Sequence, residues 1–289
     1  MVAAPISVII PAHNEEEFLA EAIRSVYAQT LQPAEIIVIA DDCTDRTAEI
    51  AAELGARVLE QNRRNMAAGL NLGVSASTQP WIALLDVDDF WNKRKLALQW
   101  QAIQSFPKAA LISCDLVTLV DSRLHPVQRR YRRERWRGID HQTINRYYHY
   151  LEIVPGELLT RINLGTPTVM LRRDVFSRVG LFAEELIYGQ ALELFARVMA
   201  HYPIVFVERS LVYHRRHEHN HTHASKLEEF WSTLLSIVDR MLKKPELYPK
   251  RAGQAYREQL KESFLFFERQ LANVPDKGDG PRNQRSSID

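Results

Sequence analysis

Five short apolar runs, separated by stretches whose apolar residues recur at helical spacing, constrain this chain more than any other feature. Ile6 to Ile10 is β-branched and unbroken until Pro11, as expected of a strand buried on both faces. Ile36 to Ala40, Arg57 to Leu59, Trp81 to Leu85 and Ala110 to Val120 read as further strands. Between them lie four helical patterns. The first carries Phe18, Leu19, Ala22, Ile23, Val26 and Tyr27, with Asn14 and Glu17 spaced as a capping box. The others run from Thr47 to Leu54, ended by Gly55, from Asn65 to Ser75 and from Lys93 to Phe106. Strands alternating with helices of this length predict βαβ crossovers and an α/β fold with a mostly parallel sheet flanked by helices.

At 289 residues with 46% hydrophobic content, the chain can bury one sizeable core, or a main domain and a smaller lobe. Its 37 basic and 36 acidic residues give a formal charge of +1, so no global field draws it to nucleic acid and any electrostatic function is local. Two cysteines, Cys43 and Cys114, are too few for a disulfide framework and lack metal-ligand spacing, which suits a reducing compartment. The opening MVAAPISVIIPAHNEEE has no basic leader, and its apolar stretch breaks at Pro11, so neither a signal peptide nor a membrane span is expected there.

In open parallel sheets, ligands sit beyond the carboxyl ends of the strands, where strand order reverses. Two acidic loops fall at such ends. Asp41 and Asp42 follow the second strand; Asp86, Asp88 and Asp89 follow the fourth, within WIALLDVDDFWN. Carboxylates at a strand end serve equally as turn residues or helix caps, and Asp89 can be read as such a cap. Two acidic loops at corresponding ends point instead to one crevice, where Mg²⁺ or Mn²⁺ would take one or two carboxylates plus the phosphates of a substrate.

SVIIPAHNEEEFLAEAIRSVYAQT, EIIVIADDCTDRTAEIA and WIALLDVDDFW together resemble the nucleotide-sugar-binding half of family 2 glycosyltransferases, which have the GT-A (Rossmann-like) fold. LGTPTVMLRRDVFSRVGLFAEE and LVYHRRHEHN are similar to the acceptor half, so the likeness spans about residues 5 to 215. The resemblance implies inverting transfer of a sugar from a nucleotide diphosphate donor, commonly UDP-linked, to an acceptor hydroxyl. It implies that Pro11, His13 and Glu15 line the nucleotide pocket and that Asp41 bonds the base. Asp86 and Asp88 match the Asp-x-Asp motif, with Asp86 facing ribose or sugar and Asp88 on Mg²⁺ or Mn²⁺. His217 is placed to complete the metal shell or touch phosphate.

One position departs from the pattern. After GLFAEELIYG the family carries an acidic pair opening a helix, whose Asp is the catalytic base; here Gln190 and Ala191 stand in its place. Glu193 lies about 200° further round a helix and is a poor substitute. Three explanations stay open: an engineered Asp to Ala change, natural divergence toward weak or absent activity, or a base at Glu184 or Glu185.

The His-rich YHRRHEHNHTH, from Tyr213 to His223, would place His217, His219, His221 and His223 on one face if it were a strand, and is otherwise a polar loop. RLHPVQRRYRRERWR, residues 123–137, holds seven arginines and suits a lipid-linked diphosphate acceptor, an anionic membrane surface or simply solvent. LEEFWSTLLSIVDRML and YREQLKESFLFFERQL predict two amphipathic helices that pack on the main domain, a partner or a membrane surface. The organisation expected is a catalytic domain at 1–222, split at 120 into donor and acceptor halves, a helical extension at 223–272 and a disordered tail at 273–289. A cytoplasmic protein is expected, with peripheral contact at the inner membrane face, a nucleotide-sugar donor, a glycan or lipid-linked acceptor and no nucleic acid. A non-catalytic nucleotide-sugar-binding protein is the main alternative; a nucleotidyltransferase would require a Gly-rich phosphate loop where PAHNEEE stands.

Overall fold

The computed structural model describes residues 3–120, 123–124, 141–145, 148–151, 164–216 and 227–248, with Leu265 and Arg269. The four-strand parallel unit is present as the periodicity predicts. β1 (Ala4–Ala12), β2 (Pro33–Asp41), β3 (Arg57–Gln61) and β4 (Trp81–Leu84) are linked by α1 (Leu19–Tyr27), α2 (Thr47–Glu53) and α3 (Met66–Ala76). They lie in the order β3-β2-β1-β4, all parallel, so β1 is the strand from which successive connections depart in opposite directions. The site expected beyond the carboxyl ends therefore falls around the end of β1.

The sheet continues through β10 (Met170–Arg172), antiparallel to both β4 and β6 (Leu111–Val120), and then β11 (Ile204–Arg216), parallel to β6. β9 (Tyr148–Leu151) and β8 (His141–Asn145) extend it beyond β11, and β7 (Arg123–Leu124) pairs with β6. The short β5 (Phe90–Trp91) pairs with Val212 and Tyr213 of β11. It folds the segment after the Asp-x-Asp loop back onto the far half of the sheet, a closure that no local pattern in the sequence signals.

The strands read as continuous apolar runs because successive residues enter opposite cores. Ile9, Ile37, Ile39, Ile82 and Leu84 face one layer, built by α3, α5 (Val175–Val179), α6 (Gln190–His201) and α7 (Leu227–Lys243). Val8, Ile10, Val38 and Ala83 face the other, against α1, α2 and α4 (Lys95–Ser105). α1 buries Leu19, Ala22, Ile23 and Val26, the expected stripe, while Tyr27 stays exposed. Gly73 brings α3 against β1: a Cβ there would stand 2.5 Å from Ile9 Cγ2, closer than packing tolerates.

Asn14 does not cap α1. It has φ +53°, and its side-chain oxygen accepts the Thr44 amide at 2.7 Å instead, binding the loop after β1 to the loop after β2. Of the C-terminal extension, α7 and a following turn to Tyr248 are described; the second amphipathic pattern apart from Leu265 and Arg269, the Arg-rich segment 125–137 and the His-rich run from 217 lie outside the described residues.

Candidate active site

Three loops meet at the carboxyl edge of β1, β2 and β4. The first two are laced together by backbone bonds. Glu15 N–H donates to Thr47 Oγ1 at 2.8 Å, Glu16 N–H to Asp45 Oδ2 at 3.0 Å, and His13 Nδ1 to the Asp41 carbonyl at 2.6 Å. His13 is exposed and Glu15 half-buried beside it. Pro11 is a buried residue of β1 in register with Ile39, with its Cβ near Gly69 of α3, so it shapes the strand end.

Asp41 is 6% exposed, and its carboxylate is engaged by main-chain amides. Oδ1 accepts from Arg63 and Arg64 N–H at 2.8 and 3.0 Å, and Oδ2 from Asn65 N–H at 2.8 Å. Burial opposes the charge, but these bonds outweigh it and hold the carboxyl below the ordinary range. In this arrangement Asp41 folds the 61–65 loop, and Asp42 pairs with Arg64 beside it.

The β4 loop carries the unbalanced charge. Burial, followed by repulsion from Asp89 and Asp88, pushes the Asp86 carboxyl well up. Burial and then Asp88 push Glu15 up to about 7. Asp89 is 1% exposed and caps no helix: its carboxylate accepts His214 Nδ1 at 3.1 Å and the Arg215 amide at 3.0 Å, pinning the loop to β11. Burial works against a charged His214, yet the bond to Asp89 and the nearby carboxylates hold its pKa above the usual value. Arg215 Nε donates to the Asp88 carbonyl, and its guanidinium reaches Glu21 at 2.6 Å while lying over Phe18 and Phe90. Sequence reasoning chose His217 from the His-rich run. His214 and Arg215 were missed, although both stand in the LVYHRRHEHN stretch that carries the resemblance; their place beside Asp89 follows from the β5–β11 pairing, with Tyr213 stacked on Phe90 at 4.8 Å between centroids.

Among the described residues no three His, Cys, Asp or Glu side chains enclose an ion. An open site is what a Mg²⁺ or Mn²⁺ ion shared with a diphosphate requires, since the substrate supplies the remaining oxygens. Asp86, pushed up by burial and then by Asp89 and Asp88, and Asp88 beside it are carboxylate oxygen donors of the kind Mg²⁺ or Mn²⁺ takes.

At the other side of the sheet, Ala191 is the second residue of α6 and is 8% exposed, packed into the apolar layer. Glu193 is fully buried and bound by Arg197 through both carboxylate oxygens, by Tyr248 Oη at 2.6 Å, and by Arg240 at 3.4 Å. It holds α6 to the turn after α7 and is no stand-in for a base at 191. Glu184 is bound by Asn71 and Arg63, and Glu185 by its own backbone amide and by Arg240; these bonds hold both carboxyls below the ordinary range, which disfavours either as a proton acceptor.

A parallel four-strand unit with its switch point at β1, extended through an antiparallel strand and fronted by an acidic loop, is the GT-A arrangement, and solved structures of that class share it. S. aureus TarS residues 1–349 in complex with UDP-GlcNAc superposes with a TM-score of 0.67 at 18% identity, over 91% of this chain and 72% of that one. The mannosyltransferase PcManGT from Pyrobaculum calidifontis, in complex with GDP-Man and Mn²⁺, gives 0.63 at 15% identity, over 97% and 77%. The glycosyl transferase family 2 model matches residues 7–180, more than half of the chain, and the protein belongs to that family. An uncharacterised glycosyltransferase of Rickettsia typhi is 24% identical over 273 residues, 91% of this chain and 80% of the relative. The glycosyltransferase GlyG of Streptococcus pneumoniae is 31% identical over 105 residues, 34% of this chain and 35% of GlyG.

Proposed function

We propose that this glycosyltransferase binds a nucleotide diphosphate sugar, UDP-linked, across the ends of β1, β2 and β4, and that its transfer inverts the anomeric carbon. The observation that carries this reading is the convergence of His13, Glu15, the Asp41-folded loop and Asp86–Asp89 on one edge. His13 and Glu15 border the diphosphate, and the 63–65 loop that Asp41 folds borders the base. Asp88, with Asp86 beside it, would hold Mg²⁺ or Mn²⁺; the bound ion supplies positive charge to the departing diphosphate. Arg215 and His214 fix that loop by bonds to the Asp88 carbonyl and Asp89.

In the transfer step an acceptor hydroxyl forms its bond to the anomeric carbon on the face opposite the diphosphate, as the carbon–oxygen bond to phosphate breaks. The hydroxyl proton then needs an acceptor. Position 191 is where the family pattern puts one, and a buried alanine has none to offer, so this chain is a slow transferase or a binder of nucleotide sugar. The non-catalytic reading is favoured by one observation, the packing of Ala191 into the apolar layer.

Calorimetric titration of UDP, UDP-GlcNAc and GDP-mannose, with and without Mn²⁺, tests the donor site. Tighter binding with Mn²⁺, lost in Asp88→Asn, is expected; binding of no nucleotide under either condition would sink the assignment. A donor-hydrolysis assay on the same samples separates enzyme from binder.

A further inference from the structure

Asn71 has no part in the donor chemistry, yet it is 7% exposed in the middle of α3, a helix otherwise lined with apolar residues. Asparagine is a mediocre helix former, and a buried amide is tolerated only where its bonds are made. All of them reach across to the acceptor half. Nδ2 donates to the Phe182 carbonyl and to Glu184 Oε1, both at 3.0 Å, and Oδ1 accepts from Phe182 N–H at 2.9 Å. Glu184 extends the bridge, accepting from the Arg63 guanidinium at 2.6 Å, while its carbonyl accepts from Asn65 Nδ2 at 2.9 Å.

Arg63 and Asn65 belong to the loop whose amides Asp41 collects. That loop is therefore gripped twice, by Asp41 from its own half and by Glu184 from the other. The Arg63–Glu184 pair is half exposed, at 54% and 36%, and is weak for that reason. Asn71 is the buried member and carries more of the grip, because its partners would be left unsatisfied without it.

We propose that Asn71 and Glu184 are positioning residues through which the acceptor half sets the shape of the 63–65 loop, so that recognition of the nucleotide base belongs to both halves of the protein. The consequence for binding rests on the donor-site reading above; the anchoring of the loop does not.

The test compares the full chain with Asn71→Ala, Glu184→Ala, Glu184→Gln and, as a neighbouring control, Glu185→Ala. Hydrogen exchange at 61–65 is followed without nucleotide, and UDP is titrated with Mn²⁺ on the same samples. Both Asn71→Ala and Glu184→Ala should speed exchange of the 63–65 amides while β1 and β2 stay protected, and should weaken UDP binding about tenfold, a typical coupling between distant contacts. Glu184→Gln should restore only part of both, because its single side-chain oxygen can accept from Asn71 or from Arg63 but not from both, and Glu185→Ala should change neither. Unchanged exchange and UDP affinity in the folded alanine variants would overturn the proposal. Faster exchange in a protein that binds no UDP would support the anchoring and defeat the donor reading; UDP binding alike to all variants would uphold the donor reading and overturn the part given to Asn71 and Glu184 in base recognition. Should Asn71→Ala fail to fold, the half-exposed Glu184 variants decide the matter.

Discussion

The edge of β1, β2 and β4 and the surroundings of α6 treat buried charge in opposite ways. At the first, burial, and after it repulsion from neighbouring carboxylates, pushes the Asp86 and Glu15 carboxyls up, while Asp89 is held by His214 and the Arg215 amide. At the second, Glu193 is buried more completely, yet Arg197 and Tyr248 satisfy it, and Arg197 also donates to the Val179 and Leu181 carbonyls. Charge left unbalanced marks a place that a ligand completes, and charge fully matched marks a joint between elements.

The largest effect expected comes from moving one carboxylate between these regimes. Ala191→Asp should raise sugar transfer by about 10² to 10⁴, the typical worth of a positioned general base. Product formation over time, with donor affinity unchanged, is the measurement, and equal rates would place the proton acceptor elsewhere.

Next are two substitutions of opposite sign. Glu193→Ala leaves the Arg197 charge buried and should destabilise the fold by about 3–5 kcal/mol in urea unfolding. Asp86→Asn, in buffer free of divalent ions at neutral pH, should leave stability unchanged or raise it, because it removes a repelled charge. Similar losses in both would erase the distinction between site and joint.

The smallest effect belongs to Lys95, fully buried under the β4 loop with Gln99 Oε1 at 2.9 Å and the Trp91 ring at 3.9 Å. Burial pushes its amine down to about 8 from 10.5. Below pH 8 the group is charged in both the folded and unfolded chain, and its desolvation penalty is fully present. Between pH 8 and 10.5 the unfolded chain binds the extra proton, so this residue's contribution to stability improves as pH rises. The stability difference between wild type and Lys95→Met should therefore shift in favour of wild type between pH 7.5 and 10; a difference constant across that range would mean the amine titrates normally when folded.

Much of this was legible in the residues alone. The unbroken apolar runs of strands buried on both faces and the 3.6-residue stripes of the helices are local patterns, so the β1–β4 unit, its parallel sense and the edge where Asp41 and Asp86–Asp89 emerge are legible in the residues. The helix that Gln190 and Ala191 open could be read as well. What each carboxylate does was decided only by the tertiary structure. Asp41 meets amides from residues 63–65, Asp89 meets His214, and Asn71 meets Glu184, pairs separated by 22 to 125 positions in the chain. A sequence fixes which groups exist and which face of an element they occupy. Whether a buried charge finds a partner depends on groups brought from distant strands, and that pairing is set by how the two halves of the sheet close, through β5 and the 181–189 segment, and not by any local pattern.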